Sequence, residues 1–221
     1  MDMFIIIASL VITLGAQAYI NSMYKKTKKI ELSKEITGHD VARKILDSNG
    51  LNDVKIIESS GMLSDHYDPR SKTVNLSPEV FCKVSIAACS VAAHECGHAI
   101  QDKDGYFFLR LRSFIVPFVN IASYLGYISI VVGLFLSAFD LIWLGIFMEF
   151  VILFFQLITL PVEFNASNRA LKQLNDLDIV SSDEMVYSKK MLFAAALTYV
   201  ASVATAVLQI ARLFLMVRRN D

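Results

Sequence analysis

The 221-residue chain has no charge to spare: 21 Lys and Arg balance 21 Asp and Glu. Proteins that grip nucleic acid through its phosphates carry a basic excess, so nothing here argues for that partner. Cysteine is scarce. Cys82, Cys89 and Cys96 form no Cys-x-x-Cys pair, and they read as small buried apolar residues of a reducing compartment rather than as metal ligands. No internal repeat and no low-complexity tract is present. The N-terminus lacks the positive charge of a cleaved signal. Met1-Asp2-Met3 precedes the first apolar run, and Tyr24-Lys25-Lys26-Thr27-Lys28-Lys29 follows it. Ala16-Gln17-Ala18 resembles a signal-peptidase site, but this charge order favours an uncleaved anchor with its N-terminus outside. The residues after Lys29 then lie in the cytoplasm.

What the chain has in excess is apolar surface. It is 55% hydrophobic with a mean hydropathy of +0.50, far above a soluble domain. Charged residues gather in 24–112 and 161–190, between apolar runs at 4–20, 115–139, 141–160 and 191–217. Runs near ~20 residues match the thickness of a bilayer. The expectation is a mainly α membrane protein with about four transmembrane helices and a small α+β domain. Residues 1–23 form an anchor, 24–113 the folded domain, 114–160 a transmembrane hairpin turning at Asp140, 161–190 a polar helix, and 191–221 a transmembrane or membrane-associated helix. A span for the last run puts Arg218 and Arg219 outside, against the charge rule. Glu149 falls inside a span, where a charge costs about 2.5–3.5 kcal/mol or more; Arg212 is one possible partner.

Within the polar part, 37–46 reads as a helix capped by Thr37 and ended by Asn49-Gly50, with His39 at its surface. Residues 54–57 and 73–76 read as strands. Gly61 to Arg70 reads as a polar turn, and Ser77-Pro78-Glu79 as a helix start. Ser85 is a possible N-cap for a helix to about Gln101, ended by Asp102-Lys103-Asp104-Gly105. Residues 171–190 read as polar and helical.

That helix carries His94-Glu95-Cys96-Gly97-His98. Two histidines four apart stand one turn above each other on one face, so both imidazoles reach one ion. Glu95 points roughly 100° round the helix, which suits a base that takes a proton from the activated water. Zn²⁺ lowers the pKa of water from about 15.7 to about 7, worth about 12 kcal/mol. Hydrolytic zinc sites use three protein ligands and an open position. Glu163, just past the hairpin, is the best third ligand, although acid in a helix's first turn has a bland reading too. Gly97 suggests close approach by a backbone or ligand. Residues 73–76 are a candidate for receiving an extended substrate by strand addition, against plain sheet. His66 is read as structural or substrate-contacting rather than as a ligand.

Asp65-His66-Tyr67-Asp68-Pro69-Arg70, Ala93 to Gln101, Pro161-Val162-Glu163-Phe164-Asn165-Ala166-Ser167 and Ala196-Leu197-Thr198-Tyr199-Val200 together resemble the YugP family of neutral zinc metallopeptidases in bacterial membranes. The resemblance spans nearly the whole chain and implies a multi-pass cell-membrane zinc peptidase with one Zn²⁺ per chain. With the charge order above, the expectation is a zincin-like domain at the cytoplasmic face, acting on peptides or membrane proteins at a lipid bilayer. A more distant likeness is to the gluzincins, where Glu-x-x-Ala-Asp follows the histidine motif. Here Glu163-Phe164-Asn165-Ala166 matches, but Ser167 stands where that group has Asp, an acceptor that orients a zinc histidine. Metzincins need a Gly and a third His soon after the motif, which the residues following His98 do not supply. Site-2-type proteases hold the motif in an apolar span, whereas this helix ends in polar residues.

The implied reaction is peptide-bond hydrolysis. His94, His98 and Glu163 hold zinc, and Glu95 moves the proton from water to the leaving amine. Tyr199, Tyr67, His66 and Arg169 are candidate oxyanion donors, and Ser167 a candidate histidine partner. A second reading is a non-catalytic scaffold with a closed structural zinc site, its fourth ligand Cys96 or His66. A third is a transporter or channel subunit, motivated by Glu149.

Overall fold

The computed structural model describes residues 2–61 and 64–220; Met62 and Leu63 of the expected turn lie outside them. Seven helices and three strands follow one another among the described residues. In chain order they are α1 (Asp2–Thr27), α2 (Gly38–Ser48), β1 (Lys55–Glu58), β2 (His66–Asp68), β3 (Thr73–Leu76), α3 (Pro78–Cys82), α4 (Ile86–Lys103), α5 (Phe107–Leu136), α6 (Phe139–Asp176) and α7 (Ser182–Asn220). The chain divides into two compact units. One comprises Met1–Gln17, Arg110–Pro161 and Leu197–Asp221, the other Ala18–Leu109 and Val162–Ala196.

The first unit is built from long apolar helices. Among the described residues, four helices are long and apolar enough to cross a membrane. Their outward faces carry large apolar side chains, with Tyr124 76% and Phe135 87% exposed, as lipid-facing surfaces do. α5 and α6 approach closely where side chains are smallest. A Cβ on Gly126 would stand 2.9 Å from Met148 Cβ, and one on Gly145 2.3 Å from Ile130 Cγ1. Small residues allow such contact between apolar helices. The hairpin turns three residues earlier than expected: Ser137 takes the left-handed conformation (φ 53°), and Asp140 already sits in the first turn of α6. Arg212 does not pair with Glu149; its Nε is buried without a hydrogen-bond partner among the described residues.

In the second unit a three-stranded sheet, ordered β1-β3-β2, packs with α2 and α4. β1 runs parallel to β3, and β2 antiparallel to it. Two expectations change here. Residues 66–68 are a strand, not turn. And β3, the candidate for strand addition, is the central strand: its two edges are taken by β1 and β2, so it has none to offer a substrate.

Thr37 caps α2 in a reciprocal box. Its side chain accepts from the Asp40 amide, and the Asp40 carboxylate accepts from the Thr37 amide. The Thr37 contacts hold the Asp40 carboxyl below the usual carboxylate range. Val41, Ile45 and Leu46 then face the core with Val74, Leu76 and Ile86. Ser77 does not cap α3 with its side chain; its amide and hydroxyl donate to Asp65 instead.

α4 begins at the cap Ser85, which accepts from the Ala88 amide. It is buried on nearly every side, as its run of Ala, Cys and Ser allows. Burial pushes the Cys89 thiol up to about 12 and raises Cys96 as well, so both are inert in the sense the sequence suggests. Cys82 departs from that reading and is exposed.

The expected helix over 171–190 is broken. α6 ends at Asp176, Asp178 turns with φ 53°, and α7 starts at Ser182. The cause is a second capping box. The Ser181 amide donates to Glu184 Oε2, and the Ser181 hydroxyl accepts from the Glu184 amide.

Candidate metal centre

Two helices supply the site. α4 places His94 and His98 one turn apart on one face, and α6 brings Glu163 against them. The approach depends on Gly97, which lies between the histidines. A Cβ there would stand 2.5 Å from the carbonyl oxygen of Ala166. Only a residue without a side chain lets the α6 backbone come this near.

At that distance Glu163 Oε2 lies 3.3 Å from His94 Nε2 and 3.7 Å from His98 Nε2. All three side chains are mostly or fully buried, Glu163 to 3% exposure. Their ligand atoms fall within 4.8 Å of one another. Zn–N and Zn–O bonds of about 2.0–2.1 Å at tetrahedral angles put neighbouring donors about 3.3 Å apart. The two observed separations stand close to that value.

The hydrogen bonds around His98 also fix the tautomer that a metal ligand needs. Gln101 Nε2 donates to the Val162 carbonyl at 2.8 Å, which can only accept. The amide is therefore oriented with Oε1 toward His98 Nδ1, 3.0 Å away. Nδ1 must carry the proton, and Nε2 keeps its lone pair for the metal. Ser167 Oγ stands 3.2 Å from His94 Nδ1 and can accept the proton of that ring in the same way. Two imidazole lone pairs and a carboxylate thus converge in a buried spot. Burial opposes charging His98, but the carboxylates of Glu163 and Glu95 outweigh it and hold its pKa above the ordinary imidazole value. The cluster draws positive charge, and its N,N,O donor set suits Zn²⁺.

Glu95 is 8% exposed and has no hydrogen-bond or ion-pair partner among the described residues. No fourth ligand joins His94, His98 and Glu163 within those residues. Cys96 points its sulfur to the Ala42 carbonyl. His66 is exposed on β2, its Nδ1 2.7 Å from the Ser64 carbonyl.

The oxyanion candidates are mostly engaged. The Tyr67 hydroxyl donates to Asp102 at 2.9 Å; burial and that carboxylate raise its pKa well above an ordinary phenol. Arg169 Nε donates to Asn165 Oδ1 at 2.7 Å, and its Nη1 donates to Asp104. Tyr199 belongs to the other unit.

Gln101 and Asn165 escaped the reading of the sequence. Asn165 Oδ1 accepts from both Gln101 Nε2 and Arg169 Nε. A chain of hydrogen bonds therefore runs from Asp104 through Arg169, Asn165 and Gln101 to His98. The available signal was spacing: Gln101 is three residues after His98 and shares its helical face. Replacing Gln101 by Leu removes the acceptor that fixes the His98 proton. Zinc affinity is expected to fall about 10–100-fold, read by competition with a chromophoric chelator.

Two imidazoles from one helix and a carboxylate from a second form a group that could hold a metal ion, and the chain belongs to the family described as "Putative neutral zinc metallopeptidase", whose model matches residues 2–218. Among curated proteins it is similar to "Putative membrane protease YugP" of Bacillus subtilis (strain 168). The two are 43% identical over 217 residues, covering 98% of this chain and 96% of that protein. No solved structure matches the chain.

Proposed function

We propose that this protein is a multi-pass membrane metalloendopeptidase of gluzincin type, holding one Zn²⁺ with His94, His98 and Glu163. The observation that carries the reading is the meeting of Glu163 with two imidazole Nε2 atoms at 3.3 and 3.7 Å, with no further ligand among the described residues. A structural zinc would be closed by a fourth protein donor, and both candidates for that place, Cys96 and His66, are turned to backbone carbonyls.

When bound, zinc supplies a Lewis acid that activates water and polarises the scissile carbonyl. The residues do the rest. Gln101 and Ser167 keep the imidazoles in the ligating tautomer. Glu95, buried and without a hydrogen-bond or ion-pair partner among the described residues, accepts the proton of the attacking water and delivers it to the departing amine. The zincin-like unit faces the cytoplasm in this reading; Lys25, Lys26, Lys28 and Lys29 after the first apolar run and Arg110 and Arg112 before the second support it. Peptides or membrane proteins are the substrates.

The test is metal removal. Purified protein in detergent is expected to cleave an unstructured test protein, to lose that activity on dialysis against a chelator, and to regain it with one equivalent of Zn²⁺. Cleavage that survives removal of all bound metal contradicts the reading.

A further inference from the structure

A groove of about 390 Å³ opens beside the metal centre, between α6 and the start of α7. Its volume is that of a small ligand site. Ser167, which touches His94 through Oγ, forms part of its wall, so anything bound there lies next to the ligand set. Phe164, the neighbour of Glu163, and Phe193 line it although each remains substantially exposed, at 37% and 53%. Leu171 and Leu192 complete an apolar surface. The only charges lining the groove are Lys189 and Lys190, and neither has an ion-pair or hydrogen-bond partner among the described residues. Of the groove's lining residues the proposed mechanism uses only Ser167.

We infer that this groove is a substrate subsite that takes a bulky apolar side chain of a peptide carrying an acidic residue beside it. The inference rests on the peptidase reading and names the substrate class for it. The apolar wall gains from a large side chain removed from water. The two unpaired ammonium groups favour a carboxylate and disfavour a basic neighbour. Ser167 sets the groove against the Nδ1 edge of His94, one imidazole ring from the place where a peptide would be cut.

The experiment uses the zinc-loaded full chain in phosphatidylcholine nanodiscs and a peptide series. The series varies the side chain at one position among Ala, Leu and Phe, and its neighbour between Asp and Lys. The wild type is expected to prefer Leu or Phe over Ala by about tenfold or more in kcat/KM, and Asp over Lys at the neighbour. The double substitution Lys189→Glu, Lys190→Glu should invert the neighbour preference by roughly tenfold, a reversal that misfolding does not produce. Asn168→Trp, at an exposed groove position, should erase the preference for Phe over Ala. An unchanged neighbour preference in the lysine variant overturns the subsite while leaving the peptidase intact. So does a rate that tracks added phosphatidylglycerol instead of peptide charge and loses that dependence in the variant, because the groove then holds lipid. A zinc-loaded wild type that cuts no peptide removes the peptidase reading and this subsite together.

Discussion

Replacing Glu95 by glutamine is expected to leave zinc bound and to slow hydrolysis by about 10²–10⁴-fold, the usual contribution of a general base. Glutamine has the same length and nearly the same shape, so α4 and its packing stay as they are. What is lost is the capacity to accept a proton and carry it to the amine. Glu95 is suited to that task by its surroundings. It is buried on the zinc helix, one residue from His94, and no neighbouring group among those described claims its carboxylate. The three proposed donors lie elsewhere, so bound zinc measured by atomic absorption should remain near one per chain. Wild-type activity in this variant would remove Glu95 from the reaction. Loss of zinc along with activity would instead make Glu95 a ligand.

Gly97→Ala is expected to be nearly as damaging, although it adds one methyl group and touches no reacting atom. On an isolated helix the change would help, by about 1 kcal/mol. Here the new Cβ meets the Ala166 carbonyl oxygen at 2.5 Å and the Ala166 Cα at 3.2 Å. These are backbone atoms and do not swing away. Overpacking of this kind costs about 1–3 kcal/mol, so the protein should still fold. The strain is relieved by moving α6 off α4, and Glu163 travels with it. A displacement near ~1 Å at a catalytic centre costs about 10²-fold in rate. Activity should therefore fall about a hundredfold while zinc binding weakens, with the helical circular dichroism signal retained. Gly15→Ala is the control: nothing lies within 4 Å of a Cβ there, and cleavage should not change. Equal zinc affinity and activity in Gly97→Ala would mean the two helices are not held together as tightly as the structure places them.

Much of the fold could be read from the chain because its causes are local. Apolar length gave the four long helices, the Thr37 cap and the Asn49-Gly50 stop bounded α2, and β3 fell on the expected residues 73–76. The failures have local causes too, but weaker ones. Residues 66–68 are short and polar, and become a strand only through pairing with β3. The break at 177–181 was available in Ser181-Ser182-Asp183-Glu184, a capping pattern hidden in a stretch that otherwise favours helix. The central position of β3 was not available at all, since strand order depends on which partners arrive at its edges.

The amino-acid order alone fixed the spacing of His94 and His98 on one helical face, because 3.6 residues per turn leaves no other outcome, and it fixed the apolar lengths of the four long helices. Whether Glu163 meets those imidazoles was decided only in three dimensions. It lies 65 positions after His98, and a carboxylate at that remove is brought home by a backbone contact at Gly97. The neutral pair that holds the histidines, Ser167 and Gln101, was likewise settled by packing, since the direction of an amide is set by the carbonyl it finds, here that of Val162.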